Sequence, residues 1–176
     1  MSDSPATPEA WLLAGQELLR AGGVRSVKLT ALTRALGRTT GSFYHHFGSM
    51  TQYLEALADF YGTEQVETML GALAPLEPQL RLVELARISR DHRMQPLSLA
   101  MREWGASDRR AAAAVQAADG RLLEFVCDTL IELGYEEPDA QVRAQLLFAV
   151  GASRVVTPWR PPGDLDRRIL SIIAAP

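Results

Sequence analysis

Residues 39–47, read TTGSFYHHF, gather most of the groups in this chain that suit contact with an anionic or polar surface. Threonine can donate to a phosphate or touch a methyl group, a tyrosine hydroxyl can reach a phosphate oxygen, and a glycine lets the backbone come close to a partner. The charge around this segment points the same way. Between Glu17 and Glu55 there is no acidic residue, while Arg20, Arg25, Lys28, Arg34, Arg38, His45 and His46 all fall in that window. The chain as a whole carries a formal charge of -3, so it is not built to coat nucleic acid along its full surface. The basic window is local, and phosphate binding is the chemistry it favours over a merely solvated face.

Other chemistries find less support. Adjacent His45 and His46 make a poor metal site, because zinc needs three or four converging ligands and no spaced cluster accompanies them. No phosphate-binding glycine loop, metal set or nucleophile with a plausible base is visible, so neither enzymatic activity nor a cofactor is expected. The single cysteine, Cys127, cannot close an internal disulfide. Its apolar neighbours mark it as an inert core residue rather than a redox sensor. No run approaches the roughly 18 apolar residues of a membrane span, and no secretory leader pattern opens the chain. A soluble, cytoplasmic protein without membrane contact is the expectation.

The elements that must hold residues 39–47 are all helical. Thr7 and Pro8 offer an N-cap and a first helical residue, and Trp11, Leu12, Gly15, Leu18 and Leu19 recur at helical spacing up to Gly22 and Gly23. This predicts a first helix over 8–21. A short helix over 28–36 ends at Gly37, which can take the left-handed backbone, and a third follows over 40–46. Ser49 and Gln52 form a capping-box pattern opening a long fourth helix through about residue 73. Further helices are expected over 78–92 and 97–106, and from the Ser107-Asp108 cap to Leu133. The stretch 139–156 is apolar on nearly all sides and reads as buried, and an amphipathic helix spans 164–173. With 47% hydrophobic residues and no alternating strand pattern, the fold class is all-α.

Two short helices joined by a tight, glycine-containing turn form a helix-turn-helix, whose second helix enters the DNA major groove. Residues 28–36, 37–39 and 40–46 supply those parts. The segment GRTTGSFYHHFGS resembles the N-terminal signature of TetR family transcriptional regulators, with Gly37, Thr39, Gly41, Phe43, Tyr44, His46, Phe47 and Ser49 on matching positions. Upstream, WLLAGQELLRAGGV resembles the family's first helix and its glycine-rich exit. The resemblance covers roughly residues 9–60. It departs at Arg38, where a small aliphatic residue is usual, at Lys28, which replaces a hydroxyl residue, and at Met50, which replaces a phosphate-holding lysine.

The resemblance implies a DNA-binding domain over 8–48 and a helical effector-binding and dimerisation domain over 49–176. It implies DNA contacts by Lys28, Arg38, Thr39, Thr40, Gly41, Ser42 and Tyr44, and by His45 or His46, with Phe43 and Phe47 packing inside. The arginine stem at 38 is expected to snorkel so that its guanidinium reaches DNA. A homodimer is implied, formed by stripes of Leu122, Val126, Leu130 and Leu133 and of Leu146, Val150, Gly151 and Arg154. It would set two reading helices about 34–36 Å apart on a palindromic double-stranded operator. A cavity for an unknown small-molecule effector is expected to draw on Tyr61, Met94, Met101, Trp104, Phe125 and Phe148, with His92, Arg102 and Glu103 as candidate polar groups. The resulting reading is a ligand-responsive repressor. A helical interaction module that has lost DNA binding is the alternative, motivated by Met50 and the acidic total.

Overall fold

The computed structural model describes residues 6–89, 94–152 and 165–174. Among the described residues there are helices and no strands. Helix α1, Pro8–Gly22, starts where Thr7 accepts a hydrogen bond from the Ala10 amide at 3.2 Å, and ends at Gly23 with φ 65°. A single 3-10 turn, Val24–Ser26, follows, which the hydrophobic pattern does not disclose. The Ser26 hydroxyl caps the exit of α1 by donating to carbonyls there, that of Gly23 at 2.7 Å. Helix α2, Leu29–Leu36, is closed by left-handed Gly37 (φ 62°), with the Arg38 amide donating back to the Thr33 carbonyl at 2.9 Å. Helix α3 is Thr40–Tyr44 and α4 is Met50–Gly62. Thr39 and Ser49 cap them, accepting from the amides of Ser42 (3.2 Å) and Gln52 (3.1 Å).

The long helix expected over 49–73 is broken. Helix α5, Glu64–Leu73, is separate, because Thr63 leaves the helical region (φ -125°, ψ -78°) and its hydroxyl bonds back to the Asp59 carbonyl at 2.7 Å. Gly62, just before the break, lies against Ala114, whose backbone oxygen would sit 2.8 Å from any added Cβ. The remaining helices are α6 (Pro78–Ser89), α7 (Met94–Gly105), α8 (Arg109–Glu132), α9 (Glu137–Ala152) and α10 (Leu165–Ile173). Asp108 caps α8, accepting from the amides of Arg110 and Ala111 at 2.9 and 3.0 Å.

The chain divides into two compact units, one made of Met1–Gln65 and Pro96–Ala118, the other of Val66–Gln95 and Asp119–Pro176. In the first, an aromatic cluster joins the helices around α3. Phe43 is fully buried, meeting Trp11 edge-on at 5.4 Å and Tyr53 and Phe47 at 5.3 Å each. Aromatic pairs at such offsets contribute beyond the area they bury. The Tyr53 hydroxyl donates to the Trp11 carbonyl at 2.7 Å across the bare α-carbon of Gly15. Burial pushes the Tyr53 phenol well above its ordinary value, so this hydroxyl stays a donor. Nearby, Gln16 of α1, buried, pairs its amide with that of Gln65 in α5 at 2.9 Å.

The second unit packs Leu82, Val126, Leu130, Ala140 and Ala144 into one core, joined by Leu85, Leu147 and Leu170. Arg81 pairs with Glu132 at 2.7 Å. Arg143 pairs with Asp139 at 2.7 Å, stacks over Tyr135 at 4.4 Å and donates to the Ile173 carbonyl at the end of α10. The expectation that residues 139–156 form a buried helix is corrected here for the described part. Helix α9 buries Ala140 and Ala144 but exposes Val142 (57%), Leu146 (51%) and Val150 (40%). These lie four residues apart, so they form one stripe along the helix. Residues 153–156 lie outside the described set.

Candidate nucleic-acid interface

Helix α3 has two faces, and its short sequence explains both. With 3.6 residues per turn, burying Phe43 against α1 and α4 turns Thr40, Gly41 and Tyr44 outward. Tyr44 is 53% exposed, its ring held edge-on against Phe43 at 5.4 Å, so the hydroxyl projects from a fixed base. Thr39 and His45 are exposed at either end of the helix, and Ser42 is half-buried. His46 is half-buried beside His45, ring centroids 5.0 Å apart, and its Nε2 atom is buried with no hydrogen-bond partner among the described residues. Of the two histidines, His45 is therefore the one that offers its ring to solvent.

The elements that precede α3 carry exposed cations. Arg25, Lys28 and Arg34 are exposed, while Arg20 is paired with Glu17 at 2.9 Å. Lys28 occupies the N-cap position of α2 without a side-chain cap, leaving its ammonium available as a charge. Arg38, at the turn between α2 and α3, is half-buried. Met50 opens α4, half-buried, at the position where Ser49 supplies the cap. No group of three or more His, Cys, Asp or Glu that could hold a metal occurs among the described residues.

A short helix-turn-helix, a packed face, an uncharged polar face and exposed cations on the preceding elements are what a DNA-reading head requires. Residues 12–57 match the family model described as "Bacterial regulatory proteins, tetR family". The resemblance read from residues 9–60 is borne out by this match, which supports a transcriptional regulator of the TetR family. The fold extends the likeness beyond those residues. A transcriptional regulator from Rhodococcus sp. Rha1 is similar with a TM-score of 0.71 at 18% identity, covering 96% of this chain and 94% of that one. A structure described as a transcriptional regulator from Streptomyces coelicolor A3(2) has a TM-score of 0.66 at 16% identity, covering 96% and 98%. A structure described as a TetR-family regulator from Rhodococcus sp. has a TM-score of 0.65 at 15% identity, covering 94% and 95%. At such identities these likenesses show the all-helical fold alone. No curated protein matches the chain.

The residues expected at a dimer interface are distributed unevenly in this chain. Val126 and Leu130 are buried in the second unit's own core and have no surface left for a partner, while Leu133 and Leu122 are half-buried. Leu146 and Val150 are exposed, and Gly151 is half-buried, 3.7 Å in Cβ position from the Ser89 hydroxyl. Arg154 lies outside the described residues. Val142, four residues before Leu146, shares their exposed stripe although the expected interface set does not include it; the same helical spacing could have found it.

The expected effector-lining set divides between the units. Tyr61, Met101 and Trp104 are buried in the first, and Phe125 and Phe148 are half-buried in the second. Met94 begins α7, but its side chain and His92 lie outside the described residues. Arg102 is half-buried and partnered, and Glu103 is exposed. Cys127 is half-buried against the second core. Burial first, then the charges of Asp128 and Glu137, push its thiol upward, which lowers the thiolate fraction that oxidation needs.

Proposed function

We propose that the chain is a dimeric, ligand-responsive repressor that holds a palindromic operator and releases it on binding an apolar small molecule. The observation that carries this reading is the division of α3. Its apolar side is consumed by the core while Thr39, Thr40, Gly41, Tyr44 and His45 are left facing outward, and Arg25, Lys28 and Arg34 are exposed on the elements that precede it. Lys28, Thr39, Thr40, Gly41, Tyr44 and His45 are the proposed DNA contacts, with Ser42 and the remaining faces of His46 and Arg38 beside them. The domain limits 8–48 and 49–176, the effector set and a cytoplasmic, non-enzymatic role belong to the same proposal. No helix among the described residues is long and apolar enough to cross a membrane.

Selection of duplexes from a randomised pool, followed by titration at two salt concentrations, tests DNA binding. Sequence-selective affinity should fall with salt by about 0.9 log units per decade for each phosphate neutralised. Absence of binding even at low salt would instead favour an interaction module, the reading to which Met50 and the acidic total charge lend weight. Tyr44→Ala should weaken binding about ten- to 150-fold, as expected for one lost hydrogen bond to a charged group. Helicity should be unchanged because the ring is half in solvent; a loss of circular dichroism at 222 nm would show that Tyr44 supports the fold instead.

The dimer proposal rests on the exposed stripe of Val142, Leu146 and Val150. Apolar side chains in a row on one exposed face favour association, and a second copy offers the same stripe across a two-fold axis. Leu146→Glu should yield a folded monomer by sedimentation where the unaltered chain is a dimer. If the unaltered chain sediments as a monomer at micromolar concentration, the two-headed reading of DNA fails.

A further inference from the structure

Reading bases in the major groove usually relies on forked side chains: arginine or lysine on guanine, asparagine or glutamine on adenine. Helix α3 and its two caps have none of these: the exposed residues there are Thr39, Thr40, Gly41, Tyr44 and His45, whereas Lys28 and Arg34 belong to α2 and Arg38 to the turn before α3. The Thr39 hydroxyl oxygen is occupied by the Ser42 amide at 3.2 Å, which holds its rotamer. What α3 can offer a base edge is therefore short: single hydroxyls, the Tyr44 and His45 rings, and the methyl groups of Thr39 and Thr40.

Gly41 adds an independent observation. It lies inside α3, and among the described residues the positive-φ glycines are Gly23, Gly37 and Gly134, so its backbone does not require glycine. A Cβ at 41 would find the Thr39 hydroxyl as its nearest neighbour, at 3.7 Å, an ordinary contact. Glycine in a helix costs about 1 kcal/mol relative to alanine. Nothing within the fold compensates for that cost, so the bare backbone suits a surface outside the chain. The apolar feature that a major groove displays is the C5-methyl group of thymine.

We propose that this chain reads its duplex chiefly through thymine methyl groups, packed by the methyls of Thr40 and Thr39, with bare Gly41 allowing α3 to come down onto them. The inference rests on α3 being the DNA-reading helix. The duplex recovered by selection should carry thymine beneath α3 in each half-site. Resynthesis with deoxyuridine in place of each thymidine in turn removes one methyl and nothing else. At one or two positions per half-site, affinity should fall about three- to fivefold, the effect of one buried methyl. Thr40→Ser, which keeps the hydroxyl, should bind the thymidine duplex more weakly and lose the discrimination against deoxyuridine. Thr40→Val, which keeps a methyl, should retain discrimination.

Equal binding of thymidine and deoxyuridine duplexes would overturn the inference. So would discrimination that survives in both Thr39→Ser and Thr40→Ser. Either outcome leaves DNA binding itself standing, whereas selection of no duplex at all overturns the repressor reading and this inference together.

Discussion

Phe43→Ala is expected to destabilise the first unit by about 3–5 kcal/mol, the range for deleting a fully buried aromatic ring. The reason is geometric. Phe43 is 0% exposed and its ring meets Trp11, Phe47 and Tyr53, each within 5.4 Å. Helix α3 has five residues, too few to persist in water without that anchor. The urea midpoint followed at 222 nm should fall, and the near-ultraviolet signal of the buried Trp11 should weaken at lower urea than in the unaltered chain. The contrast with Tyr44→Ala, one residue along, is the informative part. Phe43→Ala should lose stability and DNA binding together, while Tyr44→Ala should lose binding alone. An unchanged midpoint for Phe43→Ala would mean that α3 is not fastened by this ring.

Gly15→Ala is expected to have the next largest effect, about 2–4 kcal/mol, combining overpacking with a displaced hydrogen bond. The added Cβ would lie 2.0 Å from the Tyr53 hydroxyl oxygen and 3.1 Å from the ring carbon bearing it. Tyr53 cannot retreat freely, because it is 0% exposed and its hydroxyl holds the Trp11 carbonyl at 2.7 Å. The double variant Gly15→Ala, Tyr53→Phe removes the clashing oxygen and gains the helix preference of alanine. It should therefore be more stable than Gly15→Ala alone, although Tyr53→Phe by itself costs about 1 kcal/mol. Such a reversal of sign in a double-mutant cycle is the mark of direct contact. If the two substitutions merely add, α1 and α4 are not joined through this hydroxyl.

Both predictions concern residues whose roles differ in how readily they can be read from a one-dimensional pattern. The helix limits follow from local signals: Thr7, Thr39 and Ser49 cap their own helices, and Gly23 and Gly37 end others with positive φ. Such signals act over three or four residues, so a sequence carries them whole. The helix-turn-helix was legible for the same reason. The break at Thr63 was not, because no proline or exposed glycine marks it; its glycine, Gly62, is explained by Ala114, far along the chain.

The reading surface on residues 39–47 was likewise visible in outline, since residue type limits what each side chain can donate or accept. Which side chains face out was a matter of packing. Phe43 claims the core, so Tyr44 and His45 are turned to solvent, His46 buries Nε2, and Arg38 is kept half-buried. The apolar stripes of α8 and α9 make the same point. Helical periodicity shows that Val126, Leu130, Leu146 and Val150 lie on stripes, but it cannot say which stripe the chain uses for itself. Tertiary packing assigns Val126 and Leu130 to the second unit's core and leaves Val142, Leu146 and Val150 exposed. Sequence alone determined the helical class, the caps and the family signature, because these depend on near neighbours. Only the tertiary structure decided which faces are spent on the core and which remain to meet a partner, because burial is settled by residues distant in the chain.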